Sequence, residues 1–173
     1  MMTLVEPLIP SLRRYARSLL RDQSAADDLV QDCLERVIGR WHQRRADGNA
    51  RTWVFTILHN LAINRMKQTA RRGVHVTVDD MDEAAIAIAP AQEHRLHHRA
   101  VVDALSGLPE DQRSVLLLVS VEDLSYAETA SILDIPIGTV MSRLSRARHR
   151  LAQILEERPD RLASTGTVLR RVK

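Results

Sequence analysis

Aromatic side chains are nearly missing from this chain. Two Trp, two Tyr and one Phe among 173 residues cannot build a core of stacked rings, so the interior has to come from Leu, Ile, Val and Ala. There is one cysteine, Cys33, which excludes an internal disulfide, and without a CxxC pair there is no zinc site. Lying among Val30, Leu34 and Val37, Cys33 reads as a buried structural thiol rather than a redox switch. Six glycines and six prolines interrupt little, and β-branched runs are scarce, so the expected fold is all-α. No window reaches the roughly 18 uncharged apolar residues of a membrane span. The opening "MMTLVEPLIPSLRRYAR" lacks the layout of a secretion signal. No membrane insertion is expected, and the expected compartment is the cytoplasm. A nucleophile triad, a phosphate-binding glycine loop and a paired-carboxylate arrangement are all missing too. The chain is therefore not read as an enzyme, and no cofactor is expected.

What is present is charge, unevenly placed. The composition, 45% hydrophobic and 27% charged, is that of an ordinary globular protein, with a net charge of +3. Up to Arg72 there are 13 Lys or Arg against 7 Asp or Glu; residues 73–100 carry 2 against 5, and the remainder 10 against 10. In that last part most of the acids lie at or before Asp134 and most of the arginines follow it. Two basic segments flanking an acidic middle predict two surfaces for an anion and a connector that does not bind it.

Apolar periodicity divides the chain into helices. Leu12, Tyr15, Ala16, Leu19 and Leu20 predict a first helix from about Pro10 to Asp22. Ser24 reads as the N-cap of a second, with Asp27 in capping-box position and Val30, Cys33, Leu34, Val37 and Trp41 on one face. The polar stretch "HQRRADGNA" is a loop, and Asn49 can cap a third helix over about Arg51 to Arg71, whose Val54, Ile57, Leu58 and Leu61 should face the core. Three helices close one small domain. From Gly73 to about Gln92 periodicity disappears, which predicts a tether able to hold compact and extended arrangements. Helices resume in "EHRLHHRAVVDALSG", in the segment started by Pro109, and in "YAETASILD", where Ser125 and Glu128 form a capping box. The tail from Pro159 has no helical pattern and reads as disordered.

The segment "ILDIPIGTVMSRLSRARHRL" has four arginines between Arg143 and Arg150 and no acid from Ile135 to Leu155. A short helix over Tyr126 to Leu133, a turn at "DIP" and a longer basic helix from about Pro136 make the layout of a helix-turn-helix. Val140, Leu144, Ala147, Leu151 and Ile154 form one stripe; Gly138, Ser142, Ser145, Arg146 and His149 lie opposite. Small polar residues near the helix start permit close approach to bases, Arg146 can reach a guanine edge, and flanking Arg143, Arg148 and Arg150 can hold phosphates. The competing account is a solvated basic face; the capped helix and tight turn before it favour DNA. His94, His97 and His98 share a helix face, but with no cysteine or carboxylate cluster beside them they read as a solvated helix start rather than a metal site.

These motifs, "ADDLVQDCLERVIGRW", "RTWVFTILHNLAINRMKQTARR" and "LPEDQRSVLLLVSVEDLSYAETASILDIPIGTVMSRLSRARHRL", resemble in order and spacing the second and fourth conserved regions of extracytoplasmic-function sigma factors of bacterial RNA polymerase. The resemblance implies two small helical domains: residues 1–72 as region 2, 73–92 as linker, 93–157 as region 4 and 158–173 as tail. It implies core RNA polymerase, promoter DNA and an anti-sigma factor, membrane-associated or a small soluble protein, as partners. Asp28, Gln31, Asp32 and Glu35 match the surface that docks on the polymerase clamp. The basic third helix, with Arg51, Arg65, Lys67, Arg71 and Arg72 and no acid from Asn49 to Gly73, suits a phosphate-tracking surface. Asn60 matches the position that holds a flipped minus-ten base, with Asn64 one turn on and Phe55 able to stack; the loop "HQRRADGNA" completes that pocket, and Trp53 is read as packing. Thr139, Ser142, Arg143, Ser145, Arg146 and Arg150 face the minus-thirty-five element. Met141 stands where relatives often carry a basic residue and Asn64 where many carry Asp, so promoter preference is not transferable. Two rivals are an autonomous helix-turn-helix regulator, which leaves the acidic second helix unexplained, and a sigma-like decoy for an anti-sigma factor. The decoy predicts loss of DNA-facing basic residues, whereas both basic surfaces are present here, and no attached receiver-like domain is expected.

Overall fold

The computed structural model describes residues 1–44, 48–71 and 101–156, and every regular element among them is a helix. The 73–92 tether, Arg72, the three histidines between 94 and 98, and the 158–173 tail lie outside the described residues, as does the middle of the "HQRRADGNA" loop.

The chain begins earlier than its periodicity suggested. A four-residue helix α1 (Met2–Val5) and a 3-10 turn (Glu6–Leu8) precede α2 (Ile9–Leu20), with Val5 buried as the anchor. Leu12, Tyr15, Ala16 and Leu19 form the buried face of α2, which ends when Arg21 turns left-handed at φ 60°. Asp22 then straightens, and its carboxylate accepts from the Ala25 N–H at 2.8 Å, so Asp22 rather than Ser24 caps α3 (Gln23–Arg40). The cap needs an extended backbone, which Asp22 has and Ser24, already inside the helix, does not. Along α3, Ala26, Leu29, Val30, Cys33 and Val37 are buried. The Cys33 thiol points at the Val54 carbonyl, and burial pushes its pKa up to about 12.

After a short 3-10 turn (Trp41–Gln43), α4 runs over Ala50–Arg71. Asn49 caps it through an Oδ1 that accepts from the Arg51 N–H at 2.9 Å. Val54, Leu58 and Leu61 are buried, with Ile57 partly so, but Phe55, His59 and Ala62 are buried as well. One stripe cannot account for that set: α4 packs on α2 and α3 and is also covered by C-terminal helices.

Those helices are α5 (residues 101–106), α6 (Glu110–Ser120), α7 (Tyr126–Leu133) and α8 (Ile137–Glu156). Ser125 and Glu128 make the expected capping box at the start of α7, and Asp134, left-handed at φ 53°, sets the turn into α8. Val140, Leu144 and Ala147 are buried against Leu108, Val115, Leu116 and Ala130, with Leu151 and Ile154 at the edge. Ile154 packs so closely on Gly107 that a Cβ there would sit 3.3 Å from its Cδ1. The other side of α6 and α7, through Leu117, Leu118, Leu124 and Ile132, joins the apolar cluster of Leu12, Tyr15, Phe55 and Leu58. The two units are therefore docked through a continuous core.

Candidate nucleic-acid interface

The helix-turn-helix presents its basic face to solvent. Ser142, Ser145, Arg146, Arg148, His149 and Arg150 are exposed, Thr139 is half-buried, and Gly138 has open space around it. Met141 is 52% exposed on the flank of this face, an apolar side chain beside the polar ones. Arg146 lies along its own helix, its Nε donating to the Ser142 carbonyl at 3.2 Å, while the Ser142 hydroxyl donates to the Thr139 carbonyl. Such bonds compete weakly with a base edge, so Arg146 can swing outward without losing a charged partner. Arg143 differs: its Nε lies 3.2 Å from the Asp111 carboxylate on α6, which ties down much of its charge.

On α4 the expected set is divided. Asn60, Asn64, Lys67 and Arg71 are exposed, with the two asparagines one turn apart. Arg65 pairs with Asp28 at 3.5 Å, linking a residue expected at DNA to one expected at the polymerase. Arg51 is half-buried; its guanidinium donates to the Glu122 carbonyl and stands over the Phe55 ring, 5.8 Å from its centroid. Phe55 is fully buried, edge-on to Tyr15 at 5.8 Å, so its expected stacking role is corrected: the ring fills the core between the two units. Trp53 packs edge-on to Trp41 at 5.9 Å, and the Arg44 guanidinium caps Trp41.

The acidic stripe of α3 is open. Asp28, Gln31, Asp32 and Glu35 are all exposed on one face, and Gln31 donates to Glu35 at 3.2 Å. Burial of the opposite face holds this stripe in place, so a partner meets it preformed.

Sequence reasoning overlooked the junction between the units. Glu122 is 1% exposed, and its two carboxylate oxygens accept from Arg14 Nε and Nη2 at 2.8 and 2.7 Å. This fork geometry is the strong form of an ion pair, and the hydrogen bonds to Glu122 raise the pKa of Arg14. Left-handed Asp123, φ 51°, and the bond from the Leu124 N–H to the Leu118 carbonyl bend the chain so that Glu122 faces α2. Nearby, Glu128 accepts from Asn49 Nδ2 at 2.7 Å and from the Thr52 hydroxyl at 3.4 Å, while its second oxygen serves the α7 cap. The Ser125 N–H first, then the Ser125 hydroxyl and Thr52, lower the Glu128 pKa. The only sequence signal was an acid, Glu122, closing the apolar run "VLLLVSVE".

A cleft of about 230 Å³ also lies at this junction, lined by His59, Lys67, Glu110, Asp111, Ser114 and Arg143 among others. His59 is buried, shares a hydrogen bond with the Tyr15 hydroxyl at 3.0 Å, and has its pKa lowered to about 4 by burial. It is a neutral structural residue. Among the described residues no cluster of His, Cys, Asp and Glu could hold a metal, and no helix is long and apolar enough to cross a membrane.

Residues 5–59 match the family model of the sigma2 domain of PhyR, and residues 98–151 match sigma-70 region 4. The chain is 35% identical to the ECF RNA polymerase sigma factor EcfG of Rhodopseudomonas palustris, over 85% of its own length and 80% of that protein's. It is 34% identical to the ECF sigma factor SigM of Mycobacterium tuberculosis, over 83% and 71%. Among solved structures it is similar to the sigma factor RpoE of Bartonella quintana in complex with the anti-sigma factor NepR: TM-score 0.75, 33% identity, 90% of this chain and 98% of that one.

Proposed function

The chain belongs to the extracytoplasmic-function sigma factors of RNA polymerase, and from that premise we propose that it directs core polymerase to specific promoters and is held inactive by an anti-sigma factor until a signal releases it. The observation that carries this reading is the exposed, acid-free face of α8 on a capped helix-turn-helix, in the same chain as an exposed acidic stripe on α3. A regulator acting alone has no use for the second surface.

The assignments divide by chemistry. Asp28, Gln31, Asp32 and Glu35 dock on the polymerase. Asn60 and Asn64 offer amides to an extruded minus-ten base, and capture of that base offsets the few kcal/mol of unstacking, roughly, that the promoter requires. Lys67, Arg71 and Arg72 follow the strand backbone, as does Arg65 once released from Asp28. Ser142, Ser145 and Arg146 meet base edges of the minus-thirty-five element, with Thr139, Arg143 and Arg150 on its phosphates. Residues 1–72 and 93–157 are the two working domains, acting in the cytoplasm. Bond formation belongs to the polymerase. The anti-sigma partner follows from likeness to RpoE, which is bound to NepR.

A second reading has one specific observation in its favour: the N-terminal match is to the sigma-like domain of PhyR. In that case the chain would occupy an anti-sigma factor without touching DNA. Transcription with purified core polymerase separates the two. Promoter-specific initiation that is lost in Asn60→Ala and Arg146→Ala with core binding intact supports the sigma reading. A chain that binds an anti-sigma factor but neither core nor promoter supports the decoy.

A further inference from the structure

We propose that Ile137 and Met141 form an apolar reading pair that packs on thymine methyl groups of the minus-thirty-five element and helps to set the promoter preference of this chain. The proposal rests on the sigma-factor reading and adds to it two residues that read sequence without hydrogen bonds.

The start of α8 has little else to read with. Between Ile135 and Ser142 there is no charged and no amide side chain, so the bidentate contacts that select guanine or adenine have no partner there. The Ser142 hydroxyl donates to the Thr139 carbonyl, and Arg143, the first cation of the helix, is held by Asp111. What the first two turns do offer is apolar: Ile137 is 47% and Met141 52% exposed. The two stand one helical turn apart on the same edge of α8.

Single exposed apolar residues are ordinary on a surface; the placement of this pair is not. Both side chains stay out of the apolar cluster beneath α8, which takes Ile135, Val140 and Leu144 from the same stretch. A recognition helix meets base edges with its N-terminal residues, and α8 begins at Ile137. Gly138, between the two, has nothing within 4 Å of where a Cβ would stand, so the backbone there can approach a groove floor. Exposed Arg148 continues the same edge two turns beyond Met141, in position for a phosphate. An apolar pair followed along one edge by a cation fits duplex DNA. In the major groove the apolar feature of a base pair is the 5-methyl group of thymine. Ile137, stiff at its branched Cβ, offers a fixed surface to one such methyl, and Met141, unbranched and adaptable, packs on a neighbouring one.

The test uses holoenzyme assembled from core polymerase and the full chain, unaltered or as Met141→Ala or Ile137→Ala, on a promoter mapped with the unaltered chain. Each thymine of the minus-thirty-five element, on either strand, is replaced in turn by deoxyuridine, which removes the methyl group and keeps the hydrogen-bonding edges. Alanine at an exposed helix position preserves the helix, which circular dichroism checks. At one or two thymines the replacement is expected to weaken holoenzyme binding about fourfold, the worth of one buried methyl group. Each variant is expected to bind the natural promoter more weakly by a similar factor and, at its own thymine, to bind thymine and deoxyuridine equally. An element without thymine, equal binding of thymine and deoxyuridine at every position by the unaltered chain, or a difference that survives in both variants overturns the pair as base readers. Loss of core or anti-sigma binding in Met141→Ala, with the thymine difference intact, also overturns it and assigns the edge to a protein partner. A chain that initiates at no promoter refutes the sigma reading and this inference with it, whereas promoter-specific initiation that is blind to the methyl groups refutes this inference alone.

Discussion

Helices α4 and α8 are both basic, and both are free of acids over most of their length, yet they hold their charge differently. On α8 the face opposite the apolar stripe is open from Ser142 to Arg150, with Arg143 alone of its arginines paired to an acid among the described residues. On α4, Arg51 is bound to the Glu122 carbonyl and Arg65 to Asp28, and Phe55 lies in the core. The α8 face is open as it stands, whereas on α4 only Asn60, Asn64, Lys67 and Arg71 are open and the first turn is held by partners within the chain. A charge count along the sequence gives two equivalent basic segments; only the placement of their partners separates them.

The largest effect that sharpens this contrast is at Phe55. Truncation to Ala is expected to destabilise the protein by about 3 to 5 kcal/mol and Phe55→Leu by less than about 1.5 kcal/mol, read by thermal or denaturant unfolding. A base-stacking Phe55 would show the reverse, with stability untouched and promoter opening lost. Next is His59. Its folded pKa of about 4 lies below its ordinary value of 6.5, so the unfolded chain binds the extra proton between those limits. Its contribution is fully present above pH 6.5 and is lost as pH falls towards 4, on the order of 3 kcal/mol. The slope of stability against pH over that window should flatten in His59→Asn.

Smaller effects test the open helix. Arg146→Ala should cost about 1 to 3 kcal/mol at one base pair of the minus-thirty-five element and relax preference there, whereas Arg148→Ala should weaken all promoters alike and reduce salt dependence. Selection from a randomised promoter library separates these outcomes. Ser125→Ala removes the cap of α7 and should lower stability by about 1 kcal/mol. The smallest effect on stability belongs to Asp28→Asn. An exposed pair with Arg65 contributes about 0 to 1 kcal/mol, so melting should barely move while affinity for core polymerase falls.

Much of this was legible beforehand. The span of α7, its capping box and the buried stripe of Val140, Leu144 and Ala147 follow from short-range rules that need no tertiary information. Asn49 as the cap of α4 was equally local. Ser24 was a less fortunate choice because two cap-competent residues, Asp22 and Ser24, stand two apart, and the left-handed turn at Arg21 selects the first. Phe55 and His59 were hidden for a different reason. They lie off the main apolar stripe of α4 and are buried by helices about 60 residues further along, whose docking no local periodicity encodes. Glu122 was missed likewise, since a buried acid reads as a surface acid until its arginine is found.

Transcription with purified core polymerase on a library of genomic fragments, with start sites mapped, tests the central claim most directly. The account predicts initiation at a restricted set of sites sharing minus-ten and minus-thirty-five elements, lost in Asn60→Ala and Arg146→Ala while core binding persists. No promoter-specific initiation from a chain that binds core polymerase would contradict it.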